Sequence, residues 1–392
     1  MISVKSVGIF VLLTVGFAHV CAFAAEVGQR NSRRFAPGTC GPVDPTYIHL
    51  AEQTGGQPIF LQPAEMAIAG HLMRETTRNN RDALLYATSH LARQMRKFAV
   101  LIDTAVQRAI FSLSFDARGA KMILVRPSGS AVASGEGGVE SSDWTCGRIV
   151  SINSQEKGNW RVQLGGNGRF WLRLTAQSDL YLLKADFLRL GGRIGHEGYF
   201  KIPGQPLADR EQMLQATSSG ALRSADFRLV SSEGDTIQRI AVNQEGSDPE
   251  DREFFGQLTL PHQPFRLAVN GIDAKGLPFQ RIFPTQFRAT TVEINPINKV
   301  EYLQASTPSI LRFLVRNYGE TAKFHLLAVN SRGSVIPITP SAIEIPAGGS
   351  VDVSMSVTIP ETRRMEPASP SRSRWPPDIR NGISVELSVV SP

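Results

Sequence analysis

This 392-residue sequence is short of the features that most often announce a function. It has three cysteines, no Asn-x-Ser/Thr sequon, and no apolar run beyond residue 25 that approaches the roughly 20 residues of a membrane span. Nucleophile-elbow chemistry needs Gly-x-Ser-x-Gly, and neither "PSGSAV" nor "VASGEG" supplies it. His196-Glu197 in "HEGYF" lacks the second histidine of a zinc helix. The glycines of "GGRIGHEG" miss the dinucleotide spacing, and "GGNG" reads as a turn. Positive charge is in excess, at +7, but it is not gathered into an arm. The sharpest clusters are Arg30, Arg33 and Arg34, then Arg363 and Arg364. With no finger spacing and no aromatic–basic interleaving, a nucleic-acid partner is not expected. Such a dispersed excess is either a solvated surface or an attraction for acidic glycans and headgroups.

What is present begins with a leader. Lys5 precedes "VGIFVLLTVGFAHVCAFAA", which closes on Ala22-Phe23-Ala24 before the polar Glu26. A charged start, a short apolar stretch interrupted by His19 and a small-residue exit describe a signal peptide over residues 1–25. The mature chain is therefore expected to be extracellular and secreted, with no transmembrane segment. Cys21 leaves with the leader. Cys40 and Cys146 then either pair or stand as one buried thiol and one partner for another chain.

Along the mature chain, "DPTYIHLAEQTGGQPIFL" reads as a capped helix, a glycine stop and a strand. Asp44 suits the N-cap, Pro45 the first helical position and Gly55 the left-handed exit. Helical spacing continues from Ala64 to about Arg96, through Met66, Ile68, Leu72, Met73, Leu84, Leu85, Leu91 and Met95, with a break at Asn79-Asn80. That places His71 and His90 on helices, too far apart for a one-turn metal pair. Beyond Lys97 the period becomes two. Strands flank Asp116–Ala120, and Trp160, Val162 and Leu164 answer Phe170, Leu172 and Leu174 across Gly165–Gly168 as an apparent hairpin. Further strands include "ADFRLVSS", "TIQRIAVN", "FFGQLTL", "FRLAVNGID" and "FQRIFPTQF", then "SILRFLVRN", "AKFHLLAVN", "GGSVDVSMSVTIP" and "GISVELSVV". The fold class expected is mainly β, with tandem β-sandwiches behind an α/β remnant and helices.

The order of these segments resembles hemicentin and related extracellular proteins that contain a von Willebrand factor A domain. In that family "DPTYIHLAEQTGGQPIFL" corresponds to the last helix and strand of the A domain. "FSLSFDARGAKMILVRPSGSAV" and "GNWRVQLGGNGRFWLRLTAQS", with Gly158-x-Trp160 and Thr175-x-x-Ser178, resemble its galactose-binding-like sandwich. "PFRLAVNGIDAKGLPFQRIFPTQF" is similar to an immunoglobulin-like segment that follows. The resemblance implies an A-domain remnant with helical connector at 40–96 and a galactose-binding-like sandwich at 97–195. It implies an immunoglobulin-like sandwich at 196–292 and an immunoglobulin- or fibronectin-like domain at 293–392, with a Pro/Ser/Arg-rich loop at 361–377. An A domain holds its metal through Asp-x-Ser-x-Ser after the first strand, and the sequence is read as lacking that string, with the leader standing where that half-domain would be. Metal-dependent capture is thus not carried over. The remnant alone cannot form a sheet, so it is expected to be poorly packed or to borrow a surface from the β domain.

Two places keep a functional reading. The acidic stretch with Asp248, Glu250, Asp251 and Glu253 offers oxygens to Ca²⁺ or is a solvated loop without EF-hand order. Trp144 either stacks on a sugar face from an exposed loop or packs in the sandwich core. No cofactor and no catalytic centre are expected. The function expected is adhesion or scaffolding through β-sandwich surfaces, with matrix or cell-surface proteins or glycans as partners. A lectin-like or acidic-glycan-binding module is one alternative, and an accessory fragment of a larger protein is another.

Overall fold

The computed structural model describes residues 40, 45–77, 81–119, 121–153, 156–202, 205–246, 252–297, 307–330, 335–358 and 385–390, with 10–11, 13–15 and 18–20 near the start. Asp44, Asp248, Glu250, Asp251 and the loop 361–377 lie outside the described residues. The chain is mainly β and divides into two compact units, Met1–Ala289 and Thr290–Pro392.

The first unit opens with a short mixed segment. Helix α1, Pro45–Gln53, ends at Gly55, whose φ is +73°. A Cβ there would lie 2.5 Å from Pro284 Cβ, so both the left-handed turn and the close approach require glycine. Strand β1, Phe60–Leu61, a 3-10 turn Pro63–Ile68 and helix α2, Ala69–Thr77, follow. This segment, expected to be poorly packed or to borrow a surface, packs on the neighbouring sheet. Ile59, Phe60, Leu61 and Leu72 pack on Ile110, Ile149 and Trp171 of the neighbouring sheet. Cys40 and Cys146 form a disulfide across a separation of 106 residues. The Glu65 carboxylate accepts the N–H groups of Gln62 at 2.9 Å and Thr145 at 2.6 Å. Burial opposes its ionisation, but a bond from the Thr145 hydroxyl, with these two, outweighs it and holds the carboxyl below its ordinary pKa.

The helix expected as far as Arg96 ends at Thr77 instead, and residues 81–92 form strand β2, Arg81–Ala92. Leu84, Leu85, Ala87 and Leu91 face the sandwich core, while Ala83 and Tyr86 are buried in a separate cluster. A strand buried on both faces carries apolar residues at both parities, which imitates helical spacing. The first sandwich continues with β3 Arg96–Ile102, β4 Val106–Phe115, β5 Lys121–Val125, β6 Val139–Trp144, β7 Gly147–Asn153, β8 Gly158–Gly165 and β9 Asn167–Ser178. Strands β2-β9-β4-β7-β6 form one sheet and β3-β8-β5 the other. Trp160, Phe111, Phe115 and Phe170 fill the space between them.

The apparent hairpin at Gly165–Gly168 is not one. Strand β8 pairs with β3 and β5, whereas β9 pairs with β2 and β4, so the glycines carry the chain from one sheet to the other. The connection through Asp116–Gly119 likewise links β4 of one sheet to β5 of the other. Alternation fixes which side chains face the core but not which strand lies alongside.

The second sandwich takes β10 Tyr181–Gly191, β11 Gly198–Lys201, β12 Glu211–Ser219, β13 Leu222–Val230, β14 Thr236–Ile240, β15 Asn243–Glu245, β16 Arg252–Thr259, β17 Arg266–Asp273 and β18 Pro278–Ile282. One sheet runs β11-β10-β12-β16-β15. The other, β14-β13-β17-β18, joins the first sandwich directly through Ile282 against Ala83, making a nine-stranded sheet. Strand β10, assigned from the sequence to the first sandwich, therefore belongs to the second. Leu182, Ala185 and Phe187 enter a core with Phe227, Phe254 and Phe265.

The second unit has β19 Val292–Pro296, β20 Ser309–Asn317, β21 Ala322–Asn330, β22 Val335–Ile336, β23 Ile338–Thr339, β24 Ala342–Ile345, β25 Ser350–Val357 and β26 Val385–Val390. Sheet β19-β20-β25-β23 faces β22, β21, β24 and β26 over a core with Val315, Phe324 and Val353. Contrary to the reading that the sequence lacks it, an Asp-x-Ser-x-Ser string does occur here, at Asp352, Ser354 and Ser356. It lies along β25 rather than in a loop, and Asp352 is bonded to Arg312 Nη2 at 2.7 Å.

Candidate functional site

The segment that caps the first sandwich also builds the wall of a polar cleft. Its volume is about 360 Å³, and its lining includes Glu52, His90, Arg169, Glu233, Arg266 and Gln286. Helix α1 supplies Glu52, β2 supplies His90, β9 supplies Arg169 and β17 supplies Arg266. Glu233 comes from the turn between β13 and β14. Glu52 Oε1 accepts from Arg169 Nη2 at 2.6 Å and from Trp171 Nε1 at 2.8 Å. The Arg169 guanidinium lies over the Trp171 ring, 5.0 Å from its centroid, and 43% of its side chain is exposed. Arg266 is buried beneath, 4.5 Å over the Tyr86 ring, and donates to the carbonyls of Pro284 at 3.1 Å and Glu52 at 2.6 Å. Burial pushes its guanidinium pKa down, while Tyr86 and Glu52 oppose that shift.

The far wall is pinned as firmly. Gln286 bonds Ser232 Oγ at 2.9 Å, Thr88 N–H donates to the Ser232 carbonyl at 2.7 Å, and Arg96 pairs with Glu233 at 3.0 Å. The result is a concave site with guanidinium, carboxylate, hydroxyl and imidazole groups at one mouth and aromatic rings below. Its size falls within the usual range for small-ligand sites. Mixed donors and acceptors over a rigid floor suit a hydroxyl-rich ligand better than an apolar one.

A second polar cluster lies at the join of the two sandwiches and is structural. Arg281 and Asp103 are both inaccessible and pair through two contacts, at 2.6 and 3.1 Å. The remaining Arg281 donors reach the carbonyls of Leu180 and Gln280 and the hydroxyl of Ser178, so all five N–H groups are satisfied. Nearby Asp82 has one carboxylate oxygen enclosed with no hydrogen-bond partner. Burial, with Asp103 adding to it and Arg281 and the Leu182 N–H opposing it, raises the Asp82 pKa to about 7.

The residues singled out from the sequence do not meet at one place. Trp144 is 7% exposed and packs with the Cys40–Cys146 pair under the cap, so it is not a sugar-stacking platform. A Cβ on Gly147 would collide with its ring, which shows how the ring is seated. Glu253 belongs to β16, where it accepts from Gln215 Nε2 at 2.9 Å instead of lying in an open acidic loop. Among the described residues, no three His, Cys, Asp or Glu side chains gather as a metal site. Thr175, Ser178 and Trp160, the most recognisable parts of the resemblance, are all buried. His90, expected on a helix, stands on a strand at the cleft. Glu52, Arg169 and Arg266 carried no sequence signal, because Glu52 is 117 and 214 positions from its two arginine partners.

Residues 83–179 match the family described as hemicentin galactose-binding domain-like. That span runs from within β2 to the end of β9, and holds His90 and Arg169 of the cleft. No curated protein matches the chain. Among solved structures, the crystal structure of the Bacillus licheniformis lipase BlEst2 in propeptide form is similar at 11% identity, over 57% of this chain and 48% of that one. The TM-score of 0.26 is too low for that likeness to carry fold or activity. This chain spans less than half of that protein. No helix among the described residues is long and apolar enough to cross a membrane.

Proposed function

We propose that this chain is a secreted, non-catalytic adhesion or scaffold protein whose first sandwich binds saccharide through the cleft beside Arg169. One observation carries the reading: the cleft is walled in part by the segment that matches a galactose-binding-like domain. Its charged groups are also engaged in holding shape, Glu52 by Arg169 and Trp171 and Arg266 by main-chain carbonyls, which favours binding over proton transfer. The extracellular part of the reading rests on the leader pattern and on the Cys40–Cys146 bridge, which suits an oxidising compartment. Residues 40–62 keep the helix–strand order of the end of an A domain, and we read them as such an end reused as a cap.

Calorimetric titration with galactose-terminated oligosaccharides tests the proposal. Saturable binding is expected, and Arg169→Ala should weaken it at least about tenfold by removing a charged donor. Absence of binding across a panel of neutral and acidic oligosaccharides would overturn it. A second reading, acidic-glycan binding by the dispersed basic surface, is favoured by the net charge of +7. It predicts retention on heparin that falls steeply with salt and is indifferent to Arg169→Ala.

A further inference from the structure

Ten large apolar side chains are exposed among the described residues, and four of them fall between residues 190 and 200. They are Leu190 at 67% exposure, Ile194 at 97%, Tyr199 at 50% and Phe200 at 51%. All stand on one hairpin, where β10 and β11 pair through Leu188–Lys201, Arg189–Phe200, Leu190–Tyr199 and Gly191–Gly198. The tip is ordered by its own bonds. His196 N–H donates to the Arg193 carbonyl at 2.8 Å, and Gly195 takes a φ of +79°. A hydrogen-bonded four-residue turn with glycine third is a type II turn, and it places Ile194 at the outermost corner. A polar residue at that corner would satisfy the fold equally, so the isoleucine is unexplained by packing.

Leu190 and Tyr199 share one face of the hairpin, and Arg189 and Phe200 share the other. Flat protein partners cover one face of a strand pair, whereas a bilayer solvates both faces of an inserted tip. Charge points the same way. Residues 184–201 hold Lys184, Arg189, Arg193 and Lys201 against Asp186 and Glu197, four cations against two anions. Asp186 anchors two of the cations at the base, Lys201 at 2.6 Å and Lys184 at 3.2 Å. Apolar and aromatic residues at the tip with a basic collar behind them match the depth profile of an anionic membrane surface. Strand β11 is an edge strand, but it is short and begins at a glycine, so it offers little ladder for strand addition.

We propose that the 188–201 hairpin is a membrane-contact element that inserts Ile194, with Phe200, Tyr199 and Leu190 behind it, into the headgroup boundary of an anionic bilayer. The test is co-sedimentation of the full chain with phosphatidylcholine vesicles, with and without phosphatidylserine. Binding is expected to require phosphatidylserine, to fall with added salt, and to weaken at least about tenfold in Ile194→Asp and in Phe200→Ser. Ile310→Asp, at an exposed apolar site of the second unit, is expected to bind like the parent. No sedimentation with phosphatidylserine vesicles would overturn the proposal, as would equal binding by the hairpin variants. So would a vesicle-free dimer that Ile194→Asp dissolves, since the hairpin would then be a self-association surface.

Discussion

The two sandwiches of the first unit share a sheet yet treat their surplus apolar surface in opposite ways. In the first, β4 turns Phe111, Leu113 and Phe115 inward and Ile110, Ser112 and Ser114 outward, and both sets are buried. The outward set lies under the disulfide-tethered cap, where Gln57 bonds Ser114 Oγ and the Trp171 carbonyl. In the second, β16 buries Phe254 and Leu258 and leaves intervening positions more open. Its apolar excess stands instead on a hairpin in solvent. A sheet covered on both faces becomes rigid enough to hold a cleft at its margin. A sheet covered on one face can extend a pair of strands past its core.

The join between them should be the most sensitive point. Arg281→Met leaves Asp103 buried without its partner and is expected to cost about 3–5 kcal/mol in urea unfolding. Adding Asp103→Leu should recover much of that loss, and a failure to recover would mean that the pair's value lies in the other Arg281 bonds. Cutting the cap loose comes next. Cys146→Ser should cost about 2–4 kcal/mol and make residues 45–77 the first site of limited proteolysis. If the cap stays protected without the bridge, its packing on Ile110 and Trp171 suffices alone.

Asp82 gives a smaller effect with a definite sign. Its pKa is raised from 3.8 to about 7, so between those values the folded state holds a proton that the unfolded chain has lost. Stability from this group is therefore greatest below about pH 4, declines as pH rises towards 7, and levels off above it. Asp82→Asn should flatten that slope and raise stability at pH 8. Denaturation midpoints measured from pH 4 to 8 would show it, and an unchanged slope would place the titration elsewhere. The smallest expected effect is on the hairpin tip. Ile194→Asp should leave stability within about 0.5 kcal/mol, in contrast to its effect on vesicles. A larger loss would show that the tip belongs to the fold after all.

Much of this organisation was legible from residue patterns alone. Alternation marked β8, β9, β13, β16, β17 and β20, and the Pro45-to-Gly55 helix appeared with its left-handed stop. These follow from local rules: a side-chain period of two, a fixed proline φ, a glycine tolerant of positive φ. Strand pairing was not legible, because a turn between two inward-facing strands reads the same whether it closes a hairpin or crosses between sheets. Nor was β2, whose two buried faces imitate a helix. The cleft lay beyond reach for a related reason: Glu52, Arg169 and Arg266 are ordinary surface residue types until the fold brings them together. The sequence by itself determined a β-rich chain, where many of its strands lie, and the presence of Cys40 and Cys146. Only tertiary structure decided that those cysteines tie a cap to a sheet, that the cap makes a cleft, and that one hairpin escapes the core. Local rules act over a few residues, whereas burial is settled by what the distant chain lays on top.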